Sequence, residues 1–475
     1  MHCQETNLMN KNSFQLTSFL LCLSILTGCS SLNRSEFKMP TADIPDNWQQ
    51  DSESLTSLAA VDEWWKQFND SQLNSLIERA LQTNNDLALA TLNLRKARLN
   101  AGLSEDDKLP DLSFSGALAN EKSLDSGAGD KSFSTNTSLS YKLDLWGALS
   151  AAADVTQWEA KASFEDREST AQALVVTVAT LYWKIGYLNQ RLYLAQDNIK
   201  GIEQVVALTQ QRYDNGSTTR LALLESTQNL YKQQVSFSQL QQQLTESKNA
   251  MSILLNQPPQ DLMLSIEKLP EGALPDIASG IPAELLLRRA DVKSSLYQLK
   301  SMLASKDALA ASYLPSLILT GELGTSSSDL IELLQNPVGK LGAGLTLPFL
   351  EWNKMKLNKN IAELDYQTAV INYRVTLYQA FAEVANYLSA RKHYLYQTET
   401  QQALYRNSQE AEKIYASQYR AGAIAMIDWI NAIEAKRDAQ ASLLENQYNQ
   451  LVIQAKLYQS LGGKDIAPNI PSNID

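Results

Sequence analysis

The sequence predicts an α+β membrane protein: a β-barrel closed by oligomerisation, with four strands from each chain, continued by a long α-helical coiled-coil barrel. Three observations predict it. The chain is an internal tandem duplication. Each copy carries two strands with period-two alternation. Each copy also carries a proline-free stretch long enough for a helix of ~100 Å.

The duplication is read from motif pairs about 205 residues apart. Leu109-Pro110-Asp111-Leu112-Ser113-Phe114-Ser115-Gly116 returns as Leu314-Pro315-Ser316-Leu317-Ile318-Leu319-Thr320-Gly321. Leu145-Trp146-Gly147 returns as Glu351-Trp352-Asn353, and Tyr213-Asp214-Asn215-Gly216 as Tyr419-Arg420-Ala421-Gly422. The implied organisation is a signal peptide over 1–28, a tether over 29–62, a first repeat over 63–270, a second over 271–464 and a tail over 465–475.

The N-terminus reads as a processing signal. Ser13 to Thr27 is apolar but too short to span a membrane. It leads into Leu26-Thr27-Gly28-Cys29, a bacterial lipobox, in which cleavage leaves Cys29 as a lipidated N-terminus. An ordinary signal peptide with an incidental cysteine is the plainer alternative. Met9, followed by Lys11, makes a more usual start than Met1. Ser30 after the cysteine favours sorting to the outer membrane. The segment to about Asp62 is polar and irregular, with Pro40 and Pro45.

The first ordered element opens at Trp64-Trp65-Lys66-Gln67-Phe68, followed by a helix from about Ser71 to Lys108. Its second-copy equivalent runs from about Ala283 to Leu314, with Pro282 at its first turn. Pro110 and Pro315 end these helices and start strands. Leu112, Phe114 and Leu118 alternate with Ser113, Ser115 and Ala117. Beyond a polar turn, Leu139, Tyr141 and Leu143 share one face, with Ser138, Ser140, Lys142 and Asp144 on the other. The matching sets are Leu317, Leu319 and Leu323, then Leu345, Leu347 and Phe349. Such dyads suit membrane strands, and equally a half-buried sheet in a soluble sandwich.

From Ala148 to Tyr213 there is no proline. Leu188, Leu192, Ala195, Ile199, Ile202, Val206, Thr209 and Tyr213 recur at alternating spacings of four and three, a coiled-coil seam. The return helix has a comparable seam through Leu223, Leu230, Phe237, Leu240, Leu244, Met251 and Leu254, with Ser226, Gln233 and Ser247 in the gaps. Gly216 suits the positive-φ turn between the two helices. Copy two repeats the plan: a helix from Trp352 to Arg420, a turn at Gly422, and a helix to about Leu461. The stretch from Pro258 to Pro282 reads as an irregular band on the outside of the helices.

Composition excludes several functions. Net charge is −11, and no basic patch suits nucleic acid. Cys29 is the only cysteine and His393 the only histidine beyond the signal, so neither disulfide nor metal chemistry is supported. No phosphate loop or nucleophilic triad can be assembled, and no enzyme activity or cofactor is expected beyond the covalent lipid. An acidic balance makes a channel attractive to cations.

A membrane sheet must close, because a free edge leaves backbone groups unpaired in lipid. Four strands cannot close alone. Three copies make 12 strands and 12 helical passes; two make an eight-stranded barrel too narrow for more than small solutes.

These features together, with Ile281-Pro282-Ala283-Glu284-Leu285-Leu286, Arg288-Arg289-Ala290-Asp291 and Gln418-Tyr419-Arg420-Ala421-Gly422, resemble the lipoprotein (OprM/NodT-like) branch of the TolC-like outer-membrane efflux factors. The resemblance spans residues 62 to 464. It implies a trimeric 12-stranded β-barrel continued by a long periplasmic α-helical coiled-coil barrel, the homotrimeric exit duct of a tripartite pump in the outer membrane, joined to an inner-membrane transporter by a periplasmic adaptor. It also implies a gate at the helix tips, at Tyr419 and Asp428 in copy two and Tyr213 and Arg212 in copy one. Asp428 would then form a ring of three carboxylates; it could instead be a charge at a helix N-terminus. Asn431 replaces a second acid expected one turn later, leaving Glu225 of copy one as the candidate for a second ring. Gly216 and Gly422 mark the tip turns where an adaptor hairpin would dock, and both also suit plain C-cap chemistry.

Three functions remain open at this point. They are an efflux duct for small molecules, a protein-secretion duct on the same fold, and a periplasmic coiled-coil spacer. The spacer leaves the twin strands unexplained.

Overall fold

The computed structural model describes residues 34–41, 63–122, 125, 129–259, 266–270, 274–275, 288–335, 337–462 and 466–468. The lipobox with Cys29, most of the tether, and Ile281 to Leu286 lie outside the described residues. Two compact units are present, one made of 1–42, 92–164 and 294–375, the other of 43–91, 165–293 and 376–475.

The helices are α1 (Ser71–Thr83), α2 (Asn85–Asp106), α3 (Ala148–Asp214), α4 (Arg220–Leu254), α5 (Ala290–Ser312), α6 (Trp352–Arg420) and α7 (Met426–Ser460). The strands are β1 (Asp111–Lys122), β2 (Gly129–Leu143), β3 (Ser316–Ser327) and β4 (Val338–Thr346). The elements follow the duplicated plan, and α3 and α6 are 67 and 69 residues long.

One expected helix is two. Asn84 interrupts the run from Ser71 with extended backbone (φ −66°, ψ 132°). Its side-chain oxygen accepts from the N–H groups of Asp86 and Leu87 at 3.0 and 3.1 Å, so it N-caps α2. Its amide donates to the Leu254 carbonyl at 3.1 Å. An asparagine satisfied on both sides makes the break cheaper than a continuous helix.

The first unit is built on a four-stranded antiparallel sheet in the order β1-β2-β3-β4. At the helical ends of the strands, Asp144 accepts from the N–H groups of Leu149 and Ser150 at 2.9 and 2.8 Å, fixing the start of α3. The Trp146 indole donates to the Pro315 carbonyl at 2.8 Å, tying the β2–α3 junction to the start of β3. Residues 34–41 belong to this unit. Arg34 pairs with Asp154 of α3. Ser35 donates to Asp307 of α5 through its N–H and hydroxyl, at 2.8 and 2.7 Å.

The second unit has the larger apolar core. Leu73 and Ile77 of α1 are buried against Val175, Val178 and Trp183 of α3 and Met251 of α4. Trp64 packs edge-on to Trp65 at 5.9 Å and stacks on Tyr458 at 5.4 Å. The described part of the inter-repeat band lies on this core, with Ile266 and Leu269 buried. A Cβ on Gly186 would come within 2.6 Å of the Ile266 side chain, so glycine there admits the crossing chain.

The return-helix seam differs from expectation. In α4 the buried residues are Ala222, Ser226, Asn229, Gln233, Ser247, Met251 and Ser252, while Leu223, Leu230, Phe237 and Leu240 are half-buried. Small and polar residues take the line of closest approach, and larger apolar ones flank it. Their polar groups are satisfied within the helix: Ser226 donates to Leu223, Ser247 to Gln243, and Gln233 to Asn229. In α3, Leu188, Ile202 and Thr209 of the expected seam are buried, whereas Tyr213 is exposed.

Candidate functional site

Two features carry the functional argument. The first is the sheet. Directly opposed residues place Leu112, Leu139 and Gly321 in one row, Phe114, Thr137 and Leu323 in another, and Leu317 against Leu143 and Leu345. This face is mostly apolar, and many of its large side chains are exposed; Phe114 is 74% and Leu341 96% exposed, whereas Leu143 and Leu317 are half-buried. The opposite face is polar, with Ser113, Ser138, Glu322 and Lys340 in one row. Along it the Ser113 and Ser138 hydroxyls lie 2.7 Å apart, and Lys340 reaches Glu322 at 4.0 Å. An exposed apolar face backed by a polar one is the pattern of a membrane barrel wall, apolar toward lipid and polar toward water. No helix among the described residues is long and apolar enough to cross a membrane.

The second feature lies at the turns that join the paired long helices. At the end of α3, Ser217 N–H bonds the Arg212 carbonyl at 2.7 Å and Gly216 N–H bonds that of Tyr213 at 2.9 Å. At the end of α6, Ala423 and Gly422 repeat this with Gln418 and Tyr419, both at 3.0 Å. Gly216 and Gly422 have φ of +70° and +75°, so both turns are Schellman motifs that require glycine. The C-cap reading of the two glycines is therefore realised.

Beside these turns the predicted residues have distinct surroundings. Tyr419 is buried, its ring centroid 5.3 Å from that of Trp429. Its hydroxyl is buried without a hydrogen-bond partner among the described residues. Arg212 donates to the carbonyls of Tyr419 and Arg420 at 3.0 and 2.7 Å and lies 4.9 Å from the Tyr419 ring centroid. Asp428 is exposed, and its carboxylate accepts from the Ala425 N–H at 3.2 Å. This is half a capping box, since Ala425 has no side-chain acceptor to complete it. The helix-terminal role considered for Asp428 is thus present, in the first turn of α7 where the helix dipole favours a negative charge. Tyr213 is exposed and Glu225 half-exposed on α4.

Sequence reasoning missed the group that braces Tyr419. Glu412 accepts from the Trp429 indole at 3.2 Å and from Lys436 at 3.4 Å. A lone tryptophan in the largely apolar helix start Met426-Ile427-Asp428-Trp429-Ile430 was the available signal. Thr219, which N-caps α4 through the Ala222 N–H at 3.2 Å, was missed as well.

Comparison with known proteins decides the family. The sequence profile described as "Outer membrane efflux protein" matches residues 76–257 and 281–463, one stretch in each copy. The chain belongs to the outer membrane efflux protein family. "Toxin and drug export protein A" of Aggregatibacter actinomycetemcomitans is 28% identical over 459 residues, covering 94% of this chain and 98% of that protein. "Probable outer membrane lipoprotein SilC" of Salmonella typhimurium is 29% identical over 456 residues, covering 92% and 96%. The open-state crystal structure of the Neisseria gonorrhoeae MtrE outer membrane channel superposes with a TM-score of 0.77, at 26% identity and 91% and 98% coverage. As a member of this family the protein is an outer-membrane efflux channel with a periplasmic helical extension, and not an enzyme.

Proposed function

We propose that three copies of this chain form the exit duct of a tripartite pump that expels small toxic compounds across the outer membrane. The observation that carries it is the sheet, whose wide face is apolar and exposed while β1 and β4 are each paired on one side only among the described residues. Backbone groups at those two edges need partners in lipid, and joining β1 of one copy to β4 of the next supplies them. Three such joints give 12 strands and a lumen lined by the Ser113–Lys340 row.

Cys29 carries lipid in this reading. The lipobox supports it, as does similarity to a relative named a probable outer membrane lipoprotein. Arg34 is held on the unit that contains the sheet, and five residues reach at most ~18 Å. The acyl chains are therefore tethered close to the elements that meet the membrane.

The duct does no chemistry; it encloses a water-filled path, and the inner-membrane transporter supplies the energy. A periplasmic adaptor links the two and docks on the tip turns at Gly216 and Gly422. The resting tip is closed. Arg212 clamps the end of α6, Tyr419 is packed beneath it, and Asp428, with Tyr213 and Glu225 nearby, lines the aperture. Small molecules are favoured over proteins as cargo because the lipobox is more usual in drug-efflux members; one relative is named for toxin and drug export.

The test is export. A strain lacking its own outer-membrane ducts, supplied with this gene and its cognate adaptor and transporter, should regain resistance to dyes and detergents. Secretion of a protein toxin without any gain in resistance would favour the protein duct instead.

A further inference from the structure

The connection between β3 and β4 follows Ser327 and leads to Val338. It contains a 3-10 turn, Leu330–Glu332. The turn and the residues after it are bonded internally: Glu332 N–H reaches the Asp329 carbonyl at 3.2 Å, and Gln335 N–H reaches that of Glu332 at 3.0 Å. It is a built element, yet its apolar side chains are bare. Ile331 is 92%, Leu334 82% and Leu330 61% exposed.

The direction of the loop is given by one bond. The Thr325 hydroxyl donates to the Leu333 carbonyl. Thr325 is opposite Thr135, Leu323 opposite Thr137 and Leu319 opposite Tyr141, with no break in register. Thr325 therefore projects from the same face as Leu319 and Leu323, the apolar outer face, and not from the polar face of Glu322 and Lys340. The loop is bent back over the outside of the sheet. Along that face the apolar row of β3 ends at Leu323 and becomes polar at Thr325 and Ser327. The loop covers this polar end, pairs the threonine hydroxyl with its own carbonyl, and presents three large apolar side chains in their place.

We propose that the β3–β4 connection is a membrane anchor, with Leu330, Ile331 and Leu334 seated among the acyl chains of the outer leaflet. The loop continues the lipid-facing band of the sheet, and bonds within the turn satisfy part of its backbone, which lowers the cost of entering the membrane surface. Asp329 and Glu332 keep the turn at head-group depth, which makes it an interfacial insertion and not a deep one. A cap over the channel mouth would need the loop on the polar face.

The proposal rests on the sheet being the membrane wall, and the experiment checks that separately. Spin labels are placed at Ile331→Cys, at Leu341→Cys on the outer face, and at Asp125→Cys in the β1–β2 connection. Each variant is reconstituted in vesicles of phosphatidylethanolamine and phosphatidylglycerol. Collisions with oxygen, which partitions into lipid, are compared with collisions with a water-soluble nickel chelate. Ile331→Cys should be oxygen-favoured like Leu341→Cys, with Asp125→Cys nickel-favoured. Adding Thr325→Val should shift the Ile331 label toward nickel. A nickel-favoured Ile331 label beside an oxygen-favoured Leu341 label would overturn the anchor and leave the barrel intact. So would protection from both agents with dipolar broadening between copies, which marks a mouth cap. A nickel-favoured Leu341 label would overturn the wall itself.

Discussion

Arg212 and Tyr419 join the two copies of the repeat at their tips. The guanidinium at the end of α3 lies against the Tyr419 ring and bonds the last carbonyls of α6, at Tyr419 and Arg420. A cation at a helix C-terminus satisfies orphan carbonyls and opposes the negative end of the dipole. The contact thus links the hairpin of copy one to that of copy two.

Breaking this clamp should loosen the tip. Hydrogen bonds from a charged donor contribute about 1–2 kcal/mol at a half-exposed position. Arg212→Ala is expected to raise single-channel conductance in a planar bilayer and to sensitise cells to large antibiotics that enter through an open duct. Arg212→Lys should lie between, having charge but no planar fork. Parental conductance in Arg212→Ala would remove the clamp from the gate.

The two roles of Asp428 can be separated. Asp428→Asn keeps an acceptor for the Ala425 N–H but removes the charge, whereas Asp428→Ala removes both. If three carboxylates ring the aperture, both variants should lose cation selectivity and block by divalent ions to the same extent. Both lose the charge that the helix dipole favours, and the alanine variant should lose a further ~0.5–1 kcal/mol with the bond to Ala425. Unchanged selectivity in both would leave Asp428 as a helix-end group alone.

The Tyr419 hydroxyl is buried without a partner among the described residues, so its removal should cost nothing. Tyr419→Phe is expected to leave the melting temperature unchanged or slightly raised, and the resting channel closed. Trp429→Ala removes the ring packed on Tyr419 and should destabilise the tip by about 3 kcal/mol. Limited proteolysis at the 421–425 turn is the direct readout. Opening by Tyr419→Phe would mean that its hydroxyl acts across a contact between copies.

Asp144 gives a pH signature. Burial pushes its carboxyl up, but hydrogen bonds from Ser150, Leu149 and Ala148 outweigh this and hold it below the usual range. A group whose folded value is depressed stabilises the fold above its unfolded value, near 3.9, and loses that contribution as pH falls through the folded one. Wild type should therefore lose thermal stability below about pH 4 more steeply than Asp144→Asn. Equal pH slopes would show that this cap contributes no charge-dependent stability.

Much of this architecture was legible because it is periodic. The strand rows from Leu112 to Leu345 and the long helices were written in apolar spacing and in the duplication itself. The break at Asn84 was not, because an asparagine within an apolar-periodic run looks like a surface position until its partner at Leu254, 170 residues away, is known. The α4 seam misled for a related reason. Leucines at heptad spacing suggested the packed line, but close approach of helices favours Ser226 and Ser247. At the tips, sequence marked the two turn glycines and named Tyr213, Arg212, Glu225, Tyr419 and Asp428 as candidates around them. It could not show that Tyr419 faces inward onto Trp429, or that Arg212 bonds a helix end more than 200 residues away, since neither depends on local pattern. The outward bend of the β3–β4 loop follows from one threonine hydroxyl and left no mark in periodicity.

Lipidation is checked by mass spectrometry of the mature protein. The N-terminal peptide should begin at Cys29 and carry acyl groups. Cys29→Ser should lower delivery to the outer membrane more than it reduces assembly, because the sheet also holds the protein there. Cleavage elsewhere, or an unmodified N-terminus, would remove the lipid from the account.

The central claim is that four strands per chain close a barrel only by sharing it among three copies. Native mass measurement of the protein extracted from outer membranes, paired with conductance of the same sample in a planar bilayer, tests it most directly. A single species of three chains that conducts ions is expected. A monomer that remains folded, inserted and conducting would contradict it, since its β1 and β4 edges would then have closed without a neighbour.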